Sequence, residues 1–386
     1  MFRKNQIGIY IHWPFCASKC PYCDFNSHVH ESIDHDAWKK AYLRALQHYA
    51  EVAPGREVVS VFFGGGTPSL MKPDTVEAVI SEIQKLWPIA NDIEVTLEAN
   101  PTSVEMEKFK AFRSAGVNRV SLGLQALNDK DLNFLGREHN AHEAQQAIEI
   151  GAQTFDRYSF DLIYARPKQS LSAWEDELKK ALRLARGHMS LYQLTIEKGT
   201  PFYMRHGRGE FAIPDDVLGA DFYHLTQDIM EEAGLPAYEV SNHAAEGQAC
   251  RHNLIYWHYA DYIGIGPGAH GRLSIEQGKV ATRDHSAPDI WLKDVQASGT
   301  GTHPFENLSD RDQVMEKLMM GLRTCDGVLL SSLSDTTSPD YTYMIHQENL
   351  KRIIGQNWAV QEEGRLRLTR EGMLRLNVIL PYVLAC

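Results

Sequence analysis

The sequence predicts an α/β protein whose main body is an incomplete (β/α)6 barrel of the TIM type, followed by a small winged-helix-like α+β domain. Two observations predict this architecture. Between residues 7 and 196, short runs rich in β-branched residues alternate with longer amphipathic runs, which is typical of βαβ units and a parallel sheet. After about residue 304 this alternation stops, and helical runs surround a predicted hairpin.

Each barrel element is predicted from its own run of residues. Right-handed crossovers between parallel strands would curl six such units into a partial barrel. Capping boxes at Thr102 and Ser172 are expected to begin two of the helices. We assign the barrel to residues 1–235, an extension to 236–303 and the C-terminal domain to 304–386. The predicted strands are 7–13, 57–63, 92–98, 119–124, 158–164 and 189–196, and the predicted barrel helices are 34–52, 74–86, 104–115, 141–153 and 172–186.

Composition and charge restrict the class of function. The chain has 386 residues, 43% of them hydrophobic and 23% charged, as in ordinary soluble globular proteins. Its net charge of −11 argues against nucleic-acid binding, including DNA binding by a winged helix. Neither a signal peptide nor an apolar run of membrane-spanning length is recognisable, so we expect a cytoplasmic protein. Peripheral membrane association stays open.

Three cysteines follow the first predicted strand within eight positions. Cys16, Cys20 and Cys23 are close enough to surround one inorganic centre. Cysteine thiolates are the usual ligands of a [4Fe–4S] cluster, and three of them leave one iron free to bind something else. A structural zinc site is the first alternative, but it needs a fourth ligand, and His12 and His28 fit no common zinc spacing. A disulfide pair is the second, and disulfide frameworks belong to short secreted chains.

The spacing Cys-x3-Cys-x2-Cys resembles the signature of the radical S-adenosylmethionine (SAM) superfamily. In that superfamily the free iron binds the amino and carboxylate groups of SAM, and the barrel carries its functional groups where strands end. Glycine, carboxylate, amide and guanidinium groups recur at or near the predicted strand ends. Each has a simpler alternative, such as a tight turn, a solvated charge or a partnered buried carboxylate. These strand-end residues are Gly65, Gly66, Thr67, Pro68, Glu98, Gln125, Arg137 and Asp161.

A narrower resemblance rests on several short motifs. Tyr10 before the cysteines, Tyr22 between the last two, Gly-Gly-Gly-Thr-Pro at 64–68, Leu-Gly-Arg-Glu at 135–138 and Asp-Leu-Ile-Tyr at 161–164 resemble the oxygen-independent coproporphyrinogen oxidase family. One departure is the Ala-Arg pair at 165–166, where the family usually has Gly-Leu. By position, the resemblance implies SAM contacts from Tyr10, Tyr22, Gly65, Gly66, Thr67, Pro68, Glu98, Gln125, Arg137 and Asp161.

That family contains two kinds of protein. One is a dehydrogenase that decarboxylates two propionates of coproporphyrinogen III by radical chemistry. The other, the HemW subgroup, binds haem and acts as a haem chaperone. Three features favour the HemW subgroup. Phe25 stands where the dehydrogenases carry a fourth cysteine, only 15 residues precede Cys16, and residues 252–257 match the motif His-Asn-x-x-Tyr-Trp.

The His-Asn-x-x-Tyr-Trp motif supplies a haem-ligand candidate. Imidazole is a common axial ligand of haem iron, so His252 is the candidate, with Tyr256 one helical turn away and Trp257 beside it. A packed, hydrogen-bonded histidine is the alternative. Cys250 could also ligate iron, but a small buried residue is the simpler interpretation. The glycine-rich segment 262–272 is interpreted as a loop close to a ligand or at the surface.

The resemblance implies a full set of cofactors and partners. The cofactors are a [4Fe–4S] cluster, SAM and haem, and no catalytic residue is assigned. The partners are haem, haem-acceptor proteins and an electron donor such as a flavodoxin, and a homodimer is compatible with them. We therefore predict a haem chaperone. A coproporphyrinogen III dehydrogenase is the alternative, and a zinc-binding scaffold without redox chemistry is the third hypothesis.

Overall fold

The computed structural model describes residues 2–30, 32–333 and 344–384. Strands and helices alternate through the first half of the chain, as the sequence predicts. The strands are β1 (Gln6–Trp13), β2 (Phe15–Cys16), β3 (His28–Val29), β4 (Glu57–Gly65), β5 (Ile89–Ala99), β6 (Arg119–Gln125), β7 (Arg157–Tyr164), β8 (His188–Gln193), β9 (Asn242–Ala244), β10 (Asp261–Ile265), β11 (His270–Ile275), β12 (Gly278–Arg283), β13 (Glu306–Asn307), β14 (Val328–Leu329), β15 (Ala359–Glu362) and β16 (Arg365–Leu368).

The helices cover the outer face of the barrel and build most of the C-terminal domain. They are α1 (His35–Val52), α2 (Pro73–Leu86), α3 (Ser103–Met106), α4 (Phe109–Ser114), α5 (Asp129–Phe134), α6 (Ala141–Thr154), α7 (Leu171–Leu182), α8 (Pro201–Gly207), α9 (Asp216–Glu232), α10 (Arg251–Trp257), α11 (Pro288–Ser298), α12 (Asp310–Gly321), α13 (Gln347–Gly355), α14 (Arg370–Met373) and α15 (Leu376–Val383). In the described part of the chain, no helix is long and apolar enough to cross a bilayer.

One eleven-stranded sheet forms the barrel, in the order β13-β12-β11-β10-β1-β4-β5-β6-β7-β8-β9. Neighbours from β10 to β8 are parallel. The predicted partial α/β barrel is therefore confirmed, with one addition. The segment 236–303 supplies β10 as a seventh parallel strand beside β1, and it also adds β9 at the opposite edge. Its glycine-rich part, 262–272, is strand and turn and not a continuous loop.

Neither predicted capping box forms, although both helices begin within one residue of the predicted start. The predicted helix 104–115 is two short helices, α3 and α4, and the side chain of Thr102 does not cap the first. The carboxylate of Glu105 is buried instead, where it accepts hydrogen bonds from Ser69 and from the backbone N–H of Asn100. The helix predicted from residue 172 begins at Leu171, because Ser170 is its N-cap.

The C-terminal domain has a hydrophobic core separate from that of the barrel. Helices α12 to α15 pack with a three-stranded antiparallel sheet, in the order β14-β16-β15. The predicted hairpin turns at Glu363 and Gly364, whose φ angles of 50° and 73° are those that a two-residue hairpin turn requires. The predicted helix 341–355 corresponds to α13, and its residues 341–343 lie outside the described residues.

Candidate cofactor site at the strand ends

A cavity of about 620 Å³ lies at the carboxyl ends of the barrel strands. We call it the strand-end cavity. Parallel strands present their carboxyl ends at one edge of a barrel, which is why residues distant in sequence meet there. Of the predicted site residues, all but Tyr10 and His252 line this cavity, namely Cys16, Cys20, Tyr22, Cys23, Gly65, Gly66, Thr67, Pro68, Glu98, Gln125, Arg137 and Asp161.

The cysteine loop is closed by the short parallel pairing of β2 with β3. Its three thiols are free, and none of the five cysteines in the described residues forms a disulfide. Thr67 Oγ1 donates to Cys16 Sγ (3.4 Å), and Arg137 Nη1 donates to Cys20 Sγ (3.2 Å). Burial raises the pKa of the Cys16 and Cys23 thiols. Polar donors on the sulfurs are a recurrent feature around iron–sulfur clusters, where they tune the reduction potential.

The histidines closest in sequence to the cysteines already have other partners. His12 Nδ1 shares a hydrogen bond with the Tyr10 hydroxyl (2.9 Å), and its Nε2 bonds the Asn26 carbonyl (2.9 Å). His28 Nε2 bonds Asn26 Oδ1 (3.1 Å). Burial lowers the pKa of His12 to about 4. Since His12 is fully bonded, it is not free to complete a four-ligand zinc site.

The triple glycine holds the cysteine strand against β4. The backbone N–H of Gly66 donates to the Trp13 carbonyl (2.7 Å), and that of Thr67 donates to the Phe15 carbonyl (2.8 Å). A Cβ atom on Gly66 would lie 2.6 Å from the Phe15 oxygen, and Gly65 has φ of +112°. Side chains larger than hydrogen would therefore push the cysteine loop away from the strand ends.

Gln125 and Arg137 have polar atoms without protein partners. Gln125 Oε1 and Arg137 Nε are buried and make no hydrogen bond to another residue. Gln125 also has φ of +74°, an uncommon backbone conformation for a residue other than glycine. Arg137 Nη2 is oriented by the Gly123 carbonyl (2.6 Å) and by Asn100 Oδ1. Strain and unsatisfied polar atoms of this kind concentrate where a ligand binds, so the residues fit a polar cofactor.

Two carboxyl groups share the interior of the cavity. Burial, followed by the negative charge of Asp161, raises the pKa of Glu98 to about 8. Burial raises the pKa of Asp161 to about 6, against a hydrogen bond with Ser190 that lowers it. Gly65 N–H donates to Glu98 Oε2 (3.3 Å). The raised pKa means that Glu98 takes up a proton more readily than an ordinary glutamate, and the protonated carboxyl can both donate to and accept from ligand hydroxyl groups.

Sequence reasoning missed several residues of this cavity. Asn100 connects Thr67 with Arg137, because its Nδ2 donates to Thr67 Oγ1 (3.2 Å) and its Oδ1 accepts from Arg137. Its position just after β5 could have identified it, because functional side chains are expected at the carboxyl ends of barrel strands. Arg323 and Leu376 of the C-terminal domain also line the cavity. No sequence pattern indicates them, since they reach the cavity only through domain packing.

The loop after β7 has Ala165 where the coproporphyrinogen oxidase family usually has glycine. Ala165 takes the left-handed conformation, with φ of +56°. Arg166, only 2% exposed, forms ion pairs with Glu177 and with Asp131 (3.0 Å). These pairs anchor the loop to α5 and α7. Asp161 lines the cavity even though the Ala-Arg pair replaces Gly-Leu.

A second cavity of about 480 Å³ adjoins the first, and the two share Phe25, Gly65 and Glu98. We call it the aromatic cavity. Tyr10 lines this second cavity, whereas it was predicted with the SAM contacts of the first. The wall consists mainly of aromatic side chains from α10 to β10, and α12 of the C-terminal domain closes one side. The aromatic residues are Tyr10, Phe25, Tyr256, Trp257, Tyr259 and Tyr262.

His252 lines neither cavity. It is 1% exposed, its Nδ1 bonds Ser60 Oγ (2.8 Å), and its Nε2 bonds the Tyr256 hydroxyl (2.6 Å). Burial lowers its pKa to about 3. Its assignment as a haem ligand stays a prediction, and ligation would require at least one of these hydrogen bonds to break.

Two segments of this chain match known protein families. Residues 10–181 match the Radical SAM superfamily, and residues 308–375 match the HemN C-terminal domain. The heme chaperone HemW of Escherichia coli is 34% identical, over 95% of this chain and 97% of its own length. This chain belongs to the HemW family of the radical SAM superfamily. The Haemophilus influenzae HemW is 35% identical over 100% of this chain and 99% of the relative.

The HemW family relationship extends to eukaryotic proteins and to a known fold. The zebrafish (Danio rerio) mitochondrial radical S-adenosyl methionine domain-containing protein 1 is 36% identical, over 98% of this chain and 87% of the relative. The solved structure of coproporphyrinogen III oxidase (HemN) from Escherichia coli superposes with a TM-score of 0.81, at 18% identity, over 97% of this chain and 89% of the other. At that identity the likeness concerns the fold, and it covers both the barrel and the C-terminal domain.

Proposed function

We propose that this protein is a haem chaperone that holds a [4Fe–4S] cluster and SAM in the strand-end cavity and delivers haem to acceptor proteins. One observation carries the proposal. The strand-end cavity brings three free thiols together with buried polar atoms that have no protein partner. Relatives that match this chain over nearly their full length carry the name haem chaperone.

The residues of the strand-end cavity divide into two groups by their chemistry. Cys16, Cys20 and Cys23 would hold the cluster, which supplies a redox-active centre and one iron without a protein ligand. Gln125 and Arg137 would bind the charged methionine end of SAM, since both residues line the same cavity and each has a polar atom without a protein partner. The carboxyl of Glu98, whose pKa is raised, suits the ribose hydroxyls, because its protonated form can donate as well as accept a hydrogen bond.

Phe25 supports a chaperone over a dehydrogenase. This residue stands where the dehydrogenases of the wider family carry a fourth cysteine, and its side chain is 62% exposed. It lines both cavities, so an aromatic ring lies between the cluster ligands and the aromatic cavity. An aromatic ring offers apolar surface to a porphyrin face and no ligand to iron.

The test is anaerobic reconstitution followed by haem titration. We expect about four irons and four sulfides per chain, a change in the electron paramagnetic resonance spectrum of the reduced cluster on adding SAM, and a saturable Soret band on adding haem. The Cys325→Ser variant is the matched control, since Cys325 lines neither cavity.

Two results would contradict the proposal. A colourless anaerobic preparation that contains zinc and no iron would support the zinc scaffold. Catalytic release of carbon dioxide and protoporphyrinogen from coproporphyrinogen III would support the dehydrogenase.

A further inference from the structure

The aromatic cavity has the form of a site for a flat ligand. Its volume of about 480 Å³ lies in the range of small-molecule sites. Tyr256 and Tyr262 meet edge to face with ring centroids 4.5 Å apart, which stiffens the wall. The indole Nε1 of Trp257 is buried and makes no hydrogen bond to any described residue. The aromatic side chains of the wall therefore offer an apolar face to a flat ligand.

Two histidines line this cavity, and only one of them is available. His12 uses both ring nitrogens, for Tyr10 and for the carbonyl of Asn26. His270, the first residue of β11, is exposed at the cavity, and its ring makes no hydrogen bond to any described residue. An imidazole nitrogen that makes no other bond can act as a metal ligand.

The position of His270 on its strand places a cation near it. Side chains two apart on a strand point to the same face, and both His270 and Arg272 line the cavity. Glu316 of α12 pairs with Arg272 (Nη2 to Oε1, 2.7 Å) and accepts from the Tyr259 hydroxyl (2.6 Å). The C-terminal domain therefore closes the cavity through an ion pair that a ligand carboxylate could replace.

We infer that His270, and not His252, supplies the axial nitrogen to the iron of the haem cargo, which lies against the aromatic wall of this cavity. In this arrangement the His252–Tyr256 hydrogen bond is structural, because it fixes the ring that forms the wall. Trp257 contributes aromatic surface to this wall. The inference rests on the proposed haem-carrying function and assigns the ligand within it.

The experiment compares haem binding by four cluster-loaded proteins, using magnetic circular dichroism so that the absorbance of the cluster does not interfere. The proteins are the wild type, His270→Ala, His252→Gln and His258→Ala, the last being an exposed histidine that lines neither cavity. We expect His270→Ala to change the haem spectrum and to weaken affinity about tenfold or more. The other two variants should keep the wild-type spectrum. In His270→Gly, added imidazole should restore that spectrum.

The outcomes separate this inference from the proposed function. If the wild type gives no haem spectrum, the haem-carrying function fails and the inference fails with it. If the wild type binds haem and His270→Ala has the same spectrum and affinity, only the ligand assignment is overturned. Loss of the haem spectrum in a folded His252→Gln protein would overturn the assignment of His270 and would identify His252 as the iron ligand.

Discussion

The strand-end cavity and the histidine behind the aromatic wall differ in how completely the protein satisfies their polar groups. In the strand-end cavity, Gln125 has an unpartnered oxygen and an uncommon backbone conformation, and Arg137 has an unpartnered nitrogen. Behind the aromatic wall, His252 has a partner for each ring nitrogen. Both His252 and Gln125 are predicted ligand contacts, yet of the two only Gln125 has a buried polar atom without a partner.

A residue predicted from a sequence pattern can therefore either contact a ligand or hold in place the residues that line the ligand site. Buried polar groups without partners are costly and persist where function requires them. A buried histidine with two hydrogen bonds costs little and stabilises its surroundings. We therefore assign ligand contacts to the unsatisfied residues and a structural role to the satisfied ones, and the following changes test that division.

The largest expected effect is the loss of the cluster in Cys20→Ala. Removing one of three thiol ligands should abolish bound iron and sulfide, because the remaining two cannot hold the cluster. Haem uptake should persist, since Cys20 lines only the strand-end cavity. Iron and sulfide analysis with a haem titration checks both statements, and Cys325→Ser is the control. Simultaneous loss of haem uptake by a folded variant would mean that the two cavities are one site.

The next effect concerns Gln125→Gly and SAM. Glycine accepts a φ of +74° without strain, so the free energy of unfolding should stay unchanged or rise, whereas SAM affinity should fall about tenfold. Calorimetric titration with SAM measures the affinity, and urea unfolding measures the free energy of unfolding. Ala165→Gly is the matched control, with the same type of backbone change outside the cavity lining. Unchanged SAM affinity in Gln125→Gly would remove this residue from the ligand site.

The sequence predicts the strand-end cavity better than the aromatic one for a physical reason. Strands of a parallel sheet are buried on both faces, so β1 and β4 are mostly apolar and β-prone, and the residues that follow them must lie at one edge. The aromatic cavity depends on contacts between distant segments. Ser60, a partner of His252, is 192 residues away in sequence, and Glu316 comes from another domain. Only the His252–Tyr256 pair, one helical turn apart, was within reach of local reasoning.

A smaller effect is expected on the acid stability of the fold. The pKa of His252 is about 3 in the folded protein and about 6.5 when unfolded, so the unfolded chain binds the proton first as pH falls. Stability is therefore fully present above pH ~6.5 and is lost below it, by about 1.4 kcal/mol per pH unit from this histidine alone. In His252→Gln the free energy of unfolding should fall less steeply between about pH 6.5 and 5.5.

Urea unfolding across that pH range measures the difference between the two proteins. Other buried groups, such as His243 with a pKa of about 4, contribute equally to both curves and cancel. His30→Gln, which changes an exposed histidine, is the control and should leave the slope as it is. If the free energy of unfolding changed with pH equally in the wild type and in His252→Gln, His252 would take up a proton in the folded state. That result would contradict a structural role in which both of its ring nitrogens stay hydrogen-bonded.

The smallest expected effect is that of Ala165→Gly, because three contributions nearly cancel. Relief of the left-handed conformation at φ of +56° favours glycine by about 1–2 kcal/mol. Greater freedom of the unfolded chain opposes it by about 0.4–1 kcal/mol, and loss of the buried methyl opposes it by about 0.8 kcal/mol. The free energy of unfolding should thus change by less than about 1 kcal/mol, with SAM and haem binding unaltered. A loss well beyond that in urea unfolding would mean that methyl packing, and not the Arg166 ion pairs, holds this loop, and Asp161 would then depend on the same packing.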